Sequence, residues 1–234
     1  MTSPLRAGVI GAGVFGGFHA AKYAEFSNVA LTAVLDPHPE RARALAERFG
    51  CRACASLEAF LKDVDVVSVA APASAHGALA LAALRGGKHV YVEKPIATSL
   101  EDADAIAAEA FARGLVAACG FLERAAFAAM GLFDVPRAPL RIEAVRLGPP
   151  SPRSLDVSVV IDLMIHDLDL ALALTRAAPL AVEATGACVG GRLLDEARAE
   201  VTFEDGFTAT LSASRVAPAR ERAMRLIYPT GMVT

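Results

Sequence analysis

The sequence predicts an α/β fold in which a doubly wound parallel sheet is followed by an α+β domain with a mainly antiparallel, open sheet. Strand and helix patterns alternate up to Cys119, which is typical of a parallel sheet covered by helices on both faces. After Cys119 strands follow one another with few helices, which favours antiparallel pairing. A glycine-rich turn joins the first strand to the first helix. We therefore predict two domains, residues 1–119 and 120–234.

The composition indicates a protein that buries a core and does not bind polyanions through bulk charge. The chain is 54% hydrophobic and 21% charged, with a formal net charge of −3. We expect no nucleic-acid partner and no membrane partner. The sequence shows no signal-peptide pattern and no apolar run of about 18 residues, so we expect a cytoplasmic protein without a membrane span.

The first half contains five strand patterns separated by helical patterns. The predicted strands are residues 5–10, 30–35, 64–70, 89–92 and 115–119. The predicted helices are residues 15–25, 39–49, 57–60, 75–85 and 100–113. Ser99 is the expected N-cap of the last of these helices, because acidic residues follow it in the first turn.

The first strand leads into Gly11-Ala12-Gly13-Val14-Phe15-Gly16, which fits the pattern G-x-G-x-x-G. In that pattern the first glycine permits a tight turn, the second admits a pyrophosphate and the third lets the helix pack on the strand. The helix start adds unpaired N–H groups and a positive dipole end. We predict that a dinucleotide binds here, at Gly11, Gly13, Val14, Phe15 and Gly16. The alternative is a tight turn without a ligand.

The second strand ends at Asp36, about twenty residues beyond the glycines. A carboxylate at this point accepts hydrogen bonds from the adenosine ribose, and it repels a 2′-phosphate. The sequence therefore predicts NAD, with NADP the less favoured cofactor. Arg41, one helical turn further on, softens that preference.

Two later strands end in polar residues at the edge where such sheets bind ligands. We predict cofactor contacts from both loops, with His76 stacking or hydrogen-bonding near the cofactor. For Lys94 and His76 the alternatives are a surface lysine and a solvated histidine. The predicted cofactor-binding residues of these loops are Ala71, Pro72, His76, Glu93 and Lys94.

The second half contains one long apolar helical pattern at residues 157–175. Strands are predicted at residues 140–147, 180–189, 197–203, 207–214 and 224–228. Asp162 and His166 stand four residues apart in the apolar helix and therefore share one face. Polar groups on a buried helix need partners or line a cavity, so this pair is either a second site or a structural hydrogen-bonded pair.

Four cysteines are present, and Cys51 and Cys54 form a C-x-x-C pattern. No second cysteine or histidine pair accompanies it, so we predict reduced thiols and no metal site.

Together these residues resemble the Gfo/Idh/MocA oxidoreductases, NAD(P)-dependent enzymes that act on sugars and polyols. The resemblance is carried by the glycine turn, Asp36, Ala-Pro-x-x-x-His at 71–76, Glu-Lys-Pro at 93–95 and Asp-x-x-x-His at 162–166. It implies a cis Lys-Pro peptide and catalytic roles for Lys94, His166 and Asp162 in a cleft between the domains. Either His166 or Lys94 is the base.

A narrower likeness is to the branch that oxidises the 3-hydroxyl of UDP-N-acetylglucosamine. HAAKYA from His19 and FLERAA from Phe121 are among the segments that carry it. A nucleotide-sugar diphosphate would need cations, for which Arg124 and Arg153 are candidates; the alternative is that they are solvated surface arginines. The branch usually reads L-E-R-F-N-P, whereas Ala125 and Ala126 follow Arg124 here, which puts a substrate contact in doubt.

Other readings stay open at this point: another sugar or inositol-type dehydrogenase, or a dinucleotide-binding protein without turnover. Family members usually run on past the point where this sequence stops, so either the protein is shortened or the end of the sheet is missing. The loss would leave an open strand edge that something must cover. We also expect a homo-oligomer that pairs through the strand face of Thr208, Thr210, Ser212 and Ser214.

Overall fold

The computed structural model describes residues 3–152 and 155–234. Contacts within the chain divide it into two units, Met1–Gly120 and Phe121–Thr234. The division lies one residue beyond the boundary expected from the sequence.

The first unit is built on a six-stranded parallel sheet with the strand order β3-β2-β1-β4-β5-β6. Its strands are β1 Leu5–Ile10, β2 Val29–Leu35, β3 Arg52–Ala53, β4 Val66–Val69, β5 His89–Glu93 and β6 Ala117–Gly120. The chain leaves β1 on one side towards β2 and later returns on the other side at β4. This reversal is the point at which doubly wound sheets bind ligands.

Five helices cover the two faces of this sheet: α1 Val14–Glu25, α2 Pro39–Phe49, α3 Leu57–Lys62, α4 Ala73–Arg85 and α5 Leu100–Arg113. Apolar side chains form two separate buried clusters. One contains Phe60, Leu84 and Ile106, and the other contains Val9 and Val34. Two clusters are expected when a parallel sheet is buried on both faces, so the predicted doubly wound fold is confirmed.

Local signals fix where these helices begin and end. The Ser99 hydroxyl accepts a hydrogen bond from the N–H of Asp102 at 3.1 Å, as its predicted N-cap role requires. Ser56 caps α3 in the same way, through the N–H of Ala59. At the other end, Gly114 adopts a left-handed conformation with φ of 64° and ends α5.

The second unit contains a six-stranded mixed sheet with the order β12-β11-β7-β10-β9-β8. The pair β7 and β10 is parallel, and the other pairs are antiparallel. Its strands are β7 Arg141–Leu147, β8 Pro179–Ala187, β9 Glu196–Phe203, β10 Thr208–Ser214, β11 Glu221–Tyr228 and β12 Gly231–Val233. The predicted mainly antiparallel sheet is confirmed, and β12 is an additional strand that the sequence did not indicate.

Helix α6 Leu122–Ala129 opens this unit, and helix α7 Ile165–Thr175 packs on the sheet. The buried side chains of Ile142, Leu170 and Leu211 belong to the core of the unit. The sequence predicted one continuous helix over residues 157–175. The structure instead has a π-helical segment, Val160–Met164, directly before α7. A single π-helical turn next to an α-helix is too short to change the apolar pattern by which the sequence predicts a helix.

The face of β10 opposite the core carries the row of small polar residues. Thr210 is exposed, whereas Ser214 is buried and donates a hydrogen bond to Glu196 at 2.9 Å. Glu200 and Glu143 lie opposite Thr210 on the neighbouring strands, so this face is more charged than the row alone suggests. In the part of the chain that the structure describes, no helix is both long and apolar enough to cross a membrane.

Candidate active site

The glycine turn follows β1 and ends at the start of α1. Gly11 has φ of +99°, and a Cβ atom there would lie 2.5 Å from the carbonyl oxygen of Ala70. A Cβ atom on Gly16 would lie 1.7 Å from the carbonyl oxygen of Gly11, so the helix can pack this closely only with glycine. A Cβ atom on Gly13 would meet no protein atom within 4 Å. The turn is therefore tight where the protein needs it and open where a pyrophosphate would approach.

The residues of the first helical turn fit the same ligand. Gly13 is the N-cap of α1, and no side chain caps the helix start. The backbone N–H groups of this turn are donors of the kind that bind a phosphate. The side chains of Val14 and Phe15 are exposed, at 63% and 44%.

Asp36 follows β2 and is buried against the glycine turn. One carboxylate oxygen accepts the backbone N–H of Ala12 at 2.7 Å, and the other accepts the N–H of His38 at 2.8 Å. A carboxylate has about four acceptor positions, so these two bonds leave capacity for ribose hydroxyls. Arg41 is exposed in the first turn of α2. The sequence did not indicate that Asp36 also stabilises the glycine turn, through its hydrogen bond with the N–H of Ala12.

His76 lies in the first turns of α4, and its side chain is only 2% exposed. Its Nδ1 lies 2.6 Å from the carbonyl oxygen of Pro95, and its Nε2 lies 2.8 Å from that of Ala71. Each ring nitrogen therefore lies at hydrogen-bond distance from a backbone carbonyl oxygen. The alternative of a solvated histidine is wrong, because the ring is buried. A contact of His76 with a dinucleotide, by stacking or hydrogen bonding, stays a prediction.

Lys94 is half-buried in the loop after β5, between Glu93 and the buried Pro95. The Lys94–Pro95 peptide bond is cis, as the family resemblance implies. Ala71 and Pro72 occupy the corresponding loop after β4. Both loops follow the carboxyl ends of neighbouring parallel strands, so they belong to the edge of the sheet that carries the glycine turn.

Glu93 belongs to a network of polar side chains that the sequence did not reveal. Its Oε1 lies 2.8 Å from Nε2 of His19 on α1, and the His19 ring packs on Tyr91 at 5.4 Å. Ser68 on β4 bonds to Tyr23 at 2.7 Å and lies 3.4 Å from Nδ1 of His19. Burial raises the pKa of the Tyr23 hydroxyl, and the bond to Ser68 lowers it in part. The only sequence signal for this network was that His19 begins HAAKYA, one of the segments that carry the narrower resemblance.

In the second unit, Asp162 lies in the π-helical segment and His166 in the first turn of α7, both half-buried. Phe121 meets the His166 ring edge-on, with 6.3 Å between centroids. Short π-helical segments are frequent at functional sites, and this one carries a predicted catalytic residue.

Arg124 is anchored to the same helix. It donates to both carboxylate oxygens of Asp169, with Nε at 2.7 Å and Nη2 at 2.5 Å. Its guanidinium also lies 5.9 Å from the centroid of the Phe121 ring. The arginine is half-exposed, so its predicted contact with a substrate diphosphate stays a prediction. Arg153, the other predicted substrate ligand, lies outside the described residues.

A buried charged cluster joins β7 to both helices of the second unit. Arg146 binds Asp167 in a bidentate manner at 2.7 and 3.2 Å, and it donates to Glu123 at 3.0 Å. Burial raises the pKa of Asp167, against the opposite effect of Arg146. The sequence gave no signal for this cluster, because Arg146 and Asp167 lie on different elements.

The C-x-x-C cysteines are not arranged as a reactive pair. Cys54 is buried and Cys51 is half-buried, and burial raises the pKa of both thiols. A raised pKa disfavours the thiolate that metal binding and redox chemistry need. Within the described residues, no three His, Cys, Asp or Glu side chains are grouped as metal ligands.

The fold and the glycine turn define the first unit as a dinucleotide-binding Rossmann domain. The chain belongs to the Gfo/Idh/MocA oxidoreductase family. A family model described as "Oxidoreductase family, NAD-binding Rossmann fold" matches residues 5–121, and the model of a C-terminal domain of the same family matches residues 146–234.

Several relatives are similar over most of the chain. The UDP-N-acetylglucosamine 3-dehydrogenase of Acidithiobacillus ferrooxidans is 44% identical over 225 residues, which are 96% of this chain and 71% of that protein. A solved structure of that enzyme has a TM-score of 0.90 and covers 97% of this chain and 75% of its own. The scyllo-inositol 2-dehydrogenase (NAD(+)) of Bacillus subtilis is 28% identical over 93% of this chain and 69% of its own. GenD2 from gentamicin A biosynthesis, solved in complex with NAD, has a TM-score of 0.86 at 27% identity, covering 100% of this chain and 72% of its own.

Proposed function

We propose that the protein is an NAD-dependent dehydrogenase that oxidises the 3-hydroxyl of a UDP-N-acetylglucosamine-type nucleotide sugar. The observation that carries the proposal is the 44% identity to such an enzyme over 96% of the chain, which includes both units. The inositol dehydrogenases that match are more distant, at 28% identity for the Bacillus subtilis enzyme.

NAD is the proposed cofactor because of Asp36. The carboxylate is held by backbone N–H groups of Ala12 and His38, so it cannot turn away to admit a 2′-phosphate without losing both bonds. Arg41 is the nearby cation that would soften this preference. The proposed cofactor-binding residues are otherwise those predicted from the glycine turn and from the loops after β4 and β5.

Lys94, Asp162 and His166 are the proposed catalytic residues. When NAD is bound, its nicotinamide would supply the acceptor for a hydride from the carbinol carbon. The substrate hydroxyl must lose its proton, and His166 is suited to accept it because an imidazole ordinarily has a pKa of about 6.5. Lys94 holds the same oxygen and stabilises the negative charge that develops on it. Asp162 positions the hydroxyl or orients the cationic groups.

Arg124 and Arg153 are the proposed ligands of the substrate diphosphate. Support for Arg124 comes from its half-exposed guanidinium and from the fixed direction that Asp169 gives it. An arginine held in this way loses less conformational freedom on binding than an exposed, unrestrained one.

The experiment is a substrate panel in which formation of NADH or NADPH is followed by absorbance. The panel contains UDP-N-acetylglucosamine, UDP-glucose, free N-acetylglucosamine and myo-inositol, each with NAD and with NADP. We expect the highest kcat/KM with UDP-N-acetylglucosamine and NAD, and a ketone at sugar carbon 3 in the NMR spectrum of the product.

Other outcomes discriminate the remaining alternatives. If myo-inositol were the only member of the panel that gave NADH, the protein would be a polyol dehydrogenase and the proposal would be wrong. NAD binding without turnover on any member of the panel would indicate a non-catalytic dinucleotide-binding protein.

We also propose a cytoplasmic homo-oligomer. The four cysteines, which all lie in the described residues, are thiols, as is usual in a reducing compartment. The exposed Thr210 marks the strand face proposed for subunit pairing. Light scattering of the wild type and of Thr210→Arg tests the oligomer, which a charge at a paired face would dissociate.

A further inference from the structure

His76 makes two short contacts that one neutral imidazole cannot satisfy. A backbone carbonyl oxygen only accepts hydrogen bonds, and a carbonyl faces each ring nitrogen, at 2.6 and 2.8 Å. A neutral imidazole has one N–H and one lone pair. In either neutral form, one lone pair would point at a carbonyl oxygen at hydrogen-bond distance.

The imidazolium form satisfies both carbonyls, because each nitrogen then carries a proton to donate. Hydrogen bonds from a charged donor are shorter and stronger than neutral ones, in agreement with the two distances. A buried charge needs such partners, and the ring is 2% exposed.

His89 in the same unit provides an internal comparison. Its Nδ1 accepts the backbone N–H of Val116 at 3.0 Å. That nitrogen must hold a lone pair, so His89 is neutral and carries its proton on Nε2. His76 and His89 are thus assigned different charge states by the groups that face them.

The elements next to α4 carry charged residues of both signs. Helix α5 packs on α4, and its Asp102 lies against Gly77, the residue after His76. At the far end of the two helices, Arg85 and Glu109 pair with each other at 3.7 Å. The end of β5 contributes Glu93, and the loop after it contributes Lys94. Asp102 supplies a negative charge beside the helical turn that carries the ring.

We propose that His76 is a cationic clamp that joins the loops after β4 and β5 and thereby positions Lys94. The two carbonyls that it holds belong to Ala71 in one loop and Pro95 in the other, and Pro95 directly follows Lys94. His76 is a positioning residue in this account and does not contact the substrate. The catalytic part of the inference rests on the role proposed for Lys94, whereas the charge state does not.

The charge state is measured by long-range ¹H–¹⁵N NMR of histidine-labelled protein at a pH about one unit above the ordinary histidine pKa of about 6.5. The variants His76→Gln and His89→Gln assign the two sets of signals among the five histidines. We expect His76 to show two protonated ring nitrogens and His89 to show one. A lone-pair nitrogen in the His76 ring at this pH would overturn the clamp.

Kinetics test the positioning role. A glutamine has one side-chain nitrogen where the imidazole ring presents two to the two carbonyls, so the clamp is lost. We expect kcat to fall between about 10- and 100-fold, as for small displacements of catalytic groups. The KM for the sugar should change much less. His89→Gln makes the same chemical change at the opposite end of β5 and should leave kcat within a factor of about two.

The two measurements fail independently. If His76 is doubly protonated in the wild type but His76→Gln has an unchanged kcat, the assigned charge stands and the positioning role is wrong. Absence of turnover in the wild type on the whole substrate panel would overturn the proposed function, while the NMR result would still decide the charge state. Circular dichroism of both variants checks that the fold is kept.

Discussion

The two units hold polar side chains in and around the predicted site in different ways. In the first unit Asp36 and His76 bind backbone groups: Asp36 accepts two N–H groups, and His76 faces two carbonyls. In the second unit acidic and basic side chains bind one another, as Arg146 binds Asp167 and Arg124 binds Asp169. The edge of a parallel sheet and the starts of its helices offer many unpaired backbone groups. A helix such as α7 satisfies its interior backbone internally, so its acids need partners from other elements.

This difference predicts different consequences of substitution. Removing a side chain that holds backbone alters a loop or turn and should mainly affect ligand binding. Removing one member of a buried charge pair leaves the other charge buried without its counter-ion and should mainly affect stability.

The largest expected effect on stability is that of Arg146→Met. It leaves Asp167, which is 1% exposed, without its bidentate partner, and we expect a loss of about 3–5 kcal/mol in the free energy of unfolding by urea titration. Arg225 is the matched control, because it pairs with Glu143 at 3.6 Å on the exposed side of β11. Arg225→Met should cost less than about 1 kcal/mol.

The double variant Arg146→Met with Asp167→Leu sharpens this prediction. With both charges removed, no unpaired carboxylate remains at position 167, so the double variant should be more stable than Arg146→Met alone. Equal loss in the single and double variants would show that the packing of Arg146, not its charge, stabilises the unit.

A ligand-binding effect is expected for Asp36→Ala. The variant loses the acceptor for the Ala12 and His38 N–H groups and the proposed acceptor for the ribose. We expect the Kd for NAD, measured by calorimetry, to rise about 10- to 100-fold, because a hydrogen bond to a charged group contributes about 1.5–3 kcal/mol. Asp104, which is exposed on α5, is the control, and Asp104→Ala should bind NAD normally. An unchanged Kd in Asp36→Ala would remove the residue from the cofactor site.

The smallest expected effect concerns Asp195. This residue of the second unit combines both kinds of interaction, because its carboxylate binds backbone N–H groups and also a charged side chain. It accepts the N–H groups of Val189 and Gly190 and pairs with Arg215 at 2.7 Å. These bonds lower its pKa to about 2, from an ordinary value of 3.8. Its contribution to stability is therefore complete above the ordinary pKa and is lost as the pH falls through about 2.

The urea midpoints of wild type and Asp195→Asn test this. The difference between them should be largest near neutral pH and should shrink as the pH is lowered below about 4. Glu183→Gln, on the exposed strand β8, should show no such trend. A constant difference across this range would mean that the carboxylate charge at Asp195 is not what stabilises the loop.

Features that depend on neighbouring residues could be predicted from the sequence. The glycine turn is one, because backbone conformation and close packing select glycine at Gly11 and Gly16 whatever the rest of the chain does. Likewise, the alternation of strands and helices in the first half follows from local apolar patterns, and the structure agrees with it within a few residues.

Features that depend on distant partners could not be predicted. His76 meets Pro95 from 19 residues away, and Arg146 meets Asp167 from 21 residues away. Neither pair has a spacing that would identify it. The π-helical segment before α7 could not be predicted from the sequence either, because the apolar pattern around Asp162 is equally compatible with an α-helix.

The most direct test of the proposed chemistry is the turnover of Lys94→Ala and His166→Ala with UDP-N-acetylglucosamine, measured beside their affinity for NAD. General acid–base groups contribute about 10²–10⁴-fold, so we expect kcat to fall at least about 100-fold in each variant while NAD still binds. Near-wild-type turnover in both variants would contradict the assignment of these two residues to the reaction.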